Sequence, residues 1–317
     1  MKATFINFIQ DLRNFIICNT MPEERGTTLV IIDGQKDFHP GGSLAVTGAD
    51  EDAKRIAALI RSSLKDDASL KIDRIVATLD SHHKLHIAHP SFWRAENGDL
   101  PTPFTVITSK EIEDGKWIPR NDLKMPVGKK LVYANIMNKN FEDNDGKFDL
   151  KAYCIEYCKR LEDGAKFNLQ IWPEHCLIGS TGHALNDDII EAIDEWILAT
   201  GRSAEFPMKG QNLLTEMYSA LKAEVEISPE TSLNKELLES LKLSDRILIC
   251  GQALSHCVNY TTRDLMDNMK ESERYKVEVL KDCSSCVYQC EKDGEEFLEY
   301  VVMQGGTVHE DSTKLTE

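Results

Sequence analysis

The sequence predicts an α/β protein: a three-layer sandwich with a mainly parallel six-stranded sheet and helices on both faces. Three observations carry this expectation. Short runs such as Thr27–Ile32 (TTLVII) and Arg246–Cys250 (RILIC) are apolar or β-branched almost throughout, as strands buried on both faces must be. Between them lie stretches with apolar residues three and four apart, such as Asp50–Leu64 and Ala184–Leu198, which is the spacing of an amphipathic helix. The two patterns alternate along the chain, and alternating strands and helices build a parallel sheet.

Taken in order, strand Thr27–Ile32 ends at Asp33 and is followed by helix Asp50–Leu64. Strand Arg74–Leu79 (RIVATL) ends at Asp80, in LDSHH. Residues 94 to about 164 break the rhythm, with Pro101, Pro103, Pro119, Pro126 and the acidic NKNFEDNDGKFD. This stretch reads as an insertion laid over the sheet edge or the site, not as a separate folded domain. Its last part is helical, Leu150–Leu161, with Cys154 and Cys158 on one face. Strand Phe167–Ile171 (FNLQI) leads into Trp172-Pro173, and helix Ala184–Leu198 follows. A short strand around Ala204–Met208 ends at Lys209, before helix Lys235–Leu241. Strand Arg246–Cys250 ends at Gly251, before helix Val258–Met269. Strand Val277–Leu280, helix Glu295–Met303 and a short run near Thr307–His309 complete the order.

Residues 1–26 read as a docking helix. Phe5, Ile6, Phe8, Ile9, Leu12, Phe15 and Ile16 are interrupted by Gln10, Asp11, Arg13 and Asn14, which suits packing on the body of the protein and not an export signal. Residues 311–317 read as a C-terminal tail.

Composition narrows the function. The chain of 317 residues carries 37 Lys+Arg against 53 Asp+Glu, a net charge of −16. Such a surface repels phosphate backbones, so nucleic-acid binding is not expected. No apolar run reaches the roughly 18 residues a membrane span needs. Nine cysteines in a chain without an export pattern point to free thiols in a reducing, cytoplasmic setting. Cys283, Cys286 and Cys290 lack a second Cys/His pair at finger-like spacing, so they are not read as zinc ligands.

In an open parallel sheet, ligands bind beyond the carboxyl ends of the strands. Five strands deliver reactive groups there: Asp33; Asp80 and His82; Trp172 and His175; Lys209; and Cys257. Asp80, His82 and His175 form a donor set for zinc, iron or manganese with positions left open. His83, His86 and His89 lie nearby, and spacing favours His86 as a further ligand or support. Asp33, Lys209 and Cys257 form a second set. A thiol near an ammonium and a helix start, beside a carboxylate that shuttles its proton, can hydrolyse an amide covalently. The backbone N–H groups of Ala253 and Cys257 suit an oxyanion.

At VIIDGQKDF, VATLDSHH, IWPEHC, the stretch from Lys209 to Leu221 and GQALSHCV, the chain resembles the nicotinamidases of the isochorismatase-like cysteine hydrolase superfamily. The match spans roughly residues 27–310, which the resemblance makes one hydrolase domain. It implies Cys257 as nucleophile, Asp33 as proton shuttle and Lys209 as the cation that lowers the thiol pKa. It implies a divalent metal, zinc before iron or manganese, on Asp80, His82 and His175, binding the pyridine nitrogen of nicotinamide. Phe38 and Trp172 would sandwich the ring, Tyr218 would wall the pocket, and a cis peptide would precede Ala253. The products would be nicotinate and ammonia by way of a thioester, with a place in NAD salvage. Partners expected are a small-molecule amide, with no nucleic acid and no membrane, and homo-oligomerisation stays open. Two departures stand out. Gln252 replaces a small or branched apolar residue, and the segment between His82 and WPEHC is long. Gln252 either bonds a different small amide or faces away.

Overall fold

The computed structural model describes residues 26–120, 122–123, 134–137, 139–141, 148–164 and 167–316. The expected docking helix at 1–26 lies almost wholly outside them. In chain order the strands are β1 (Thr27–Ile32), β2 (Arg74–Ala77), β3 (Leu79–Asp80), β4 (Trp93–Ala95), β5 (Val106–Ile107), β6 (Trp117–Pro119), β7 (Ala134–Ile136), β8 (Lys139–Asn140), β9 (Leu169–Gln170), β10 (Met208–Lys209), β11 (Arg246–Gly251), β12 (Val277–Leu280) and β13 (Thr307–His309). The helices are α1 (Ala49–Ser63), α2 (Ser109–Glu113), α3 (Leu150–Gly164), α4 (Asp187–Thr200), α5 (Lys235–Lys242), α6 (Asn259–Asp267) and α7 (Glu291–Met303).

A five-stranded, all-parallel sheet runs in the order β13-β12-β11-β1-β2. The sequence predicts six strands. The chain from 205 to 209 bonds alongside 75–81 through Glu205 N to Ile75 O (3.0 Å) and Ser81 N to Lys209 O (2.9 Å). It forms the two-residue pair β3/β10 and an isolated parallel bridge, Val76 to Glu205, instead of a continuous strand. FNLQI is not a strand of this sheet: β9 pairs antiparallel with β5. The reason is legible in its side chains. Leu169 and Ile171 are buried while Asn168 is exposed, which is the alternation of a strand with one wet face and not of a strand enclosed on both.

β1 is buried at every position, and its side chains split by parity. Val30 and Ile32 join one apolar core with Ile247, Ile249, Val277 and Val279. Leu29 and Ile31 join the other with Leu248, Cys250 and Leu280. The second core is closed by α1, through Ala53, Ile56, Ala57 and Ile60, and by α4, through Ile189, Ala192, Ile193 and Trp196. Both sets recur three and four apart, so each helix buries one stripe. Asn186 caps the first turn of α4 by accepting the Asp188 N–H (2.9 Å). Gly201, at φ 71°, ends it in the left-handed conformation.

The segment expected as an insertion, 94–164, shares the first core through α3. Tyr153, Cys154, Tyr157, Cys158 and Leu161 of α3 pack with Val30, Phe92 and Trp93, with Cys154 and Cys158 on one face as the sequence predicts. Two tyrosines of α3 also reach toward the site. Tyr153 donates to Leu214 O (2.6 Å), and Tyr157 Oη accepts the Glu216 N–H (2.9 Å). At the far end, Ser312 is buried and donates to Asp282 Oδ2 (2.8 Å), so the expected tail touches the body. Among the described residues no helix is long and apolar enough to cross a membrane, and the described cysteines are free thiols.

Candidate active site

The carboxyl ends of β1, β3, β10 and β11 meet at one place. Asp33 follows β1, with a left-handed backbone (φ 47°) that is unfavourable for a residue with a side chain. Thr78, between β2 and β3, holds it: the Thr78 hydroxyl donates to Asp33 Oδ1 (2.6 Å) and Thr78 Oγ1 accepts the Asp33 N–H (3.0 Å). Lys209 ends β10. Its ammonium stands 2.9 Å from Asp33 Oδ2, 3.0 Å from Asp80 Oδ1 and 3.5 Å from Cys257 Sγ. All four groups are buried. Cys257 lies in a wide helical turn, Leu254–Val258, that leads from β11 into α6, and the Asp33 carboxylate is near enough to raise its thiol pKa.

The electrostatics follow from burial and charge. Burial pushes the Cys257 thiol well up. Lys209 opposes this, while Asp33 and Asp80 add to it. Lys209 pulls the thiol pKa down, but desolvation of a buried thiolate outweighs one ammonium, so the resting thiol holds its proton. Burial also raises Asp33, against the pull of Lys209. Burial would lower Lys209, but Asp33 and Asp80 hold it well above the ordinary lysine range. The cluster is a protonated lysine, a thiol and a carboxylate able to take the thiol's proton.

Asp80 opens the second cluster. Its Oδ2 lies 2.9 Å from His82 Nε2 and 3.2 Å from His175 Nε2. The Nδ1–H of each imidazole is directed to a backbone carbonyl: His82 to Gly210 O (3.1 Å) and His175 to Pro173 O (2.8 Å). That contact fixes the tautomer and turns Nε2 toward Asp80. Gly210 is required here. At φ 75°, a Cβ on it would lie 2.8 Å from His82 Cε1 and 2.9 Å from Asp80 Oδ1.

The nearby histidines divide differently from the spacing argument. His86 has both nitrogens engaged by backbone, Nε2 with Thr215 O (3.2 Å) and Nδ1 with the Ala88 N–H (3.2 Å). His89 directs Nδ1–H to Lys84 O (3.2 Å), and its buried Nε2 has no partner among the described residues. Its ring centre is 5.1 Å from His82 and 5.6 Å from His175. Asp80, His82 and His175 have ligand atoms within 4.8 Å of one another, as do His82, His86 and His89. A carboxylate, two oriented imidazoles and an orphaned imidazole nitrogen fit a divalent cation.

A cavity partly open to solvent connects the two clusters. Phe38, Trp172, Tyr218, Ala253, Cys257, Asp80 and His175 line it, as the sequence predicts, together with Leu44, Glu216, His256 and Val287, which the sequence reading did not single out. The Trp172 indole donates to Tyr218 Oη (2.9 Å), and the two rings stand edge to face. The Gln252–Ala253 bond is cis. The Ala253 N–H has no acceptor among the described residues. Gln252 is absent from the lining: its amide nitrogen donates to Asp52 Oδ2 (2.8 Å) on α1. His256 sits next to Cys257 in sequence, but nothing in its spacing separates a pocket-facing imidazole from a surface one.

No protein-family model and no curated protein sequence matches the chain. Solved structures do. A nicotinamidase/pyrazinamidase of Acinetobacter baumannii superposes with a TM-score of 0.56 at 20% identity, over 92% of this chain and 99% of that one. The yeast nicotinamidase, solved alone and bound to the inhibitor nicotinaldehyde, gives 0.56 at 20% identity, over 90% of this chain and 100% of that one. The chain therefore has the α/β fold of these hydrolases over nearly its whole length.

Proposed function

We propose that the protein is a metal-assisted cysteine amidohydrolase that converts nicotinamide to nicotinate and ammonia. The similarity in fold to nicotinamidases supports this reading. The observation that carries it is the position of Lys209 Nζ, 2.9 Å from Asp33 Oδ2 and 3.5 Å from the Sγ of Cys257, which lines an aromatic cavity. The reading takes residues 27–310 as one isochorismatase-like hydrolase domain, with 205–209 serving as its sixth strand and 94–164 as its insertion.

The chemistry then runs on this chain's own groups. Phe38, Trp172 and Tyr218 hold a flat ring and exclude water. Asp33 takes the thiol proton as Cys257 Sγ attacks the amide carbon, so no free thiolate has to accumulate. The N–H groups of Ala253 and Cys257 hold the developing oxyanion. Asp33 passes its proton to the amine, which leaves as ammonia and leaves a thioester on Cys257. Asp33 then deprotonates a water that attacks the thioester carbon, and Cys257 leaves and regains a proton. Lys209 remains cationic throughout and stabilises the charge on sulfur.

Asp80, His82 and His175, with His89 Nε2 as a fourth donor, would hold a divalent metal, zinc before iron or manganese. Bound there, the metal would supply a Lewis acid for a ring nitrogen and so orient the carboxamide. The other small-amide reading loses one of its supports, because Gln252 bonds Asp52 instead of lining the cavity.

The test is ammonia release from nicotinamide by purified, zinc-loaded protein, with Cys257→Ala as control. Release by the wild type alone is expected. No release by the loaded wild type would reject nicotinamide as the substrate.

A further inference from the structure

One buried carboxylate beside the site has no part in the reaction above. Asp37 lies in the loop after β1 and immediately precedes Phe38, which lines the cavity. The adjacent Lys36 pairs with Asp187 instead (2.6 Å), and the two Asp37 oxygens serve two backbone donors. Oδ1 accepts the Ser43 N–H (3.1 Å), within the same loop. Oδ2 accepts the Cys176 N–H (2.6 Å), from a distant part of the chain. Cys176 directly follows His175 and has a left-handed backbone (φ 46°), a conformation unfavourable for a residue with a side chain. Its N–H turns to Asp37, while its carbonyl accepts the His82 N–H (3.0 Å). His82 O in turn accepts the Ile178 N–H (3.0 Å), and His82 pairs with Leu177 as a parallel bridge. The main chains of both histidines therefore meet at Cys176, and Asp37 holds that residue. The carboxylate is closely covered: a Cβ on Gly182 would lie 2.1 Å from Asp37 Oδ2.

We propose that Asp37 is a positioning residue for the metal cluster: by fixing Cys176 it sets the separation of His82 and His175, and with it the geometry offered to a divalent cation. The inference rests on the metal-assisted reading above and assigns that reading a further residue. Asp80 is held separately, by Gln35, whose amide donates to Asp80 O (2.7 Å) and accepts the Asp80 N–H (2.7 Å). The ring contacts of His82 and His175 with Gly210 O and Pro173 O set how each imidazole turns. Asp37 sets where the two main chains stand. A carboxylate suits this task because both of its oxygens accept, so one side chain holds N–H groups from two segments. An asparagine has one acceptor oxygen and turns its own N–H groups against the other donor. The loop after β1 thus serves both halves of the site, with Asp33 at the sulfur cluster and Asp37 behind the metal cluster.

The test uses the full chain, stripped of metal, as wild type, Asp37→Ala and Asp37→Asn. Zinc affinity is measured by competition with a chromophoric chelator. Cobalt(II) is bound in parallel, because its visible absorption reports the number and geometry of its ligands. Two further readouts separate a local effect from a general one. Urea unfolding follows the fold, and alkylation of Cys257 by iodoacetamide, followed by peptide mass spectrometry, follows the sulfur cluster. Asp37→Ala should weaken zinc binding roughly tenfold or more, as loss of a group that holds metal ligands does. It should also change the cobalt spectrum and leave the Cys257 alkylation rate close to that of the wild type. Asp37→Asn, which keeps one acceptor oxygen, should fall between the two. Asn is nearly the same shape as Asp, so it carries the comparison where Asp37→Ala does not fold.

Wild-type zinc affinity and an unchanged cobalt spectrum in the folded variants would overturn the proposal and confine Asp37 to its own loop, through Ser43. A Cys257 alkylation rate that changes as much as zinc affinity would overturn it too, since that marks a general loosening. A wild type that binds no zinc would overturn the metal-assisted reading itself, a result distinct from wild type and variants binding zinc equally well.

Discussion

The amide of Gln252 donates to Asp52 Oδ2 at 2.8 Å, with both residues buried, and so ties the start of the nucleophile turn to α1. Asp52 Oδ1 is engaged by the Arg55 guanidinium (2.9 Å), whose Nε donates to Asp282 O. Gln252 is thus part of a buried polar chain behind the cavity. Gln252→Leu should cost about 1–3 kcal/mol, the penalty for stranding a buried acceptor. Denaturant unfolding checks the stability. The ratio of kcat/KM values between amides should stay constant, because this side chain does not line the cavity.

Asp33 and Cys257 make a prediction in which two readouts move in opposite directions. Asp33 helps keep the thiol protonated, whereas Lys209 favours the thiolate. Asp33→Asn should therefore lower the thiol pKa and speed alkylation of Cys257 by iodoacetamide at pH 8, while abolishing amide hydrolysis. Slower alkylation in the variant would contradict the assigned roles.

Lys209 offsets two buried carboxylates at about 3 Å. Lys209→Met should end catalysis and destabilise the fold by about 3–5 kcal/mol, since it leaves buried charge without a partner. An unfolding midpoint close to the wild type would show that Asp33 and Asp80 are compensated elsewhere.

His89 and His86 should behave differently toward metal. His89→Gln should weaken zinc binding tenfold or more, measured by competition with a chromophoric chelator, since it removes the unpartnered nitrogen. His86→Gln should weaken it less, because both His86 nitrogens are held by backbone. The opposite ranking would assign the fourth donor to His86.

His256 predicts an acid limb in stability. Its folded pKa of about 4 lies below the 6.5 of a free imidazole. A group lowered on folding stabilises the protein fully above its unfolded value. That contribution shrinks as pH falls from 6.5, because the unfolded chain takes up the proton first. Below about 4 the loss is complete, on the order of 3 kcal/mol. His256→Phe should flatten this part of the curve when unfolding is measured between pH 7 and 4.

The sheet was more legible than the site. β1 ends where its apolar run ends, because a strand enclosed on both faces leaves an unbroken mark, and β12 and β13 fall at the expected positions although β12 carries Glu278 and β13 is not buried. FNLQI misled because a run of five says little about which neighbour it pairs with. The helix stripes of α1 and α4 were readable for the same reason as the strands. At the site, the residues that end strands could be read from position alone. The direction of Gln252 and the free nitrogen of His89 could not. Each depends on a contact distant in sequence or on which ring nitrogen a neighbour engages, and no local pattern records that.

The two tyrosine hydroxyls of α3 clasp the segment from Leu214 to Glu216, which runs straight into Tyr218. The chain between His82 and Trp172 therefore buttresses the cavity. Cutting α3 out would take away the scaffold under one aromatic wall, so this segment and the cavity stand or fall together.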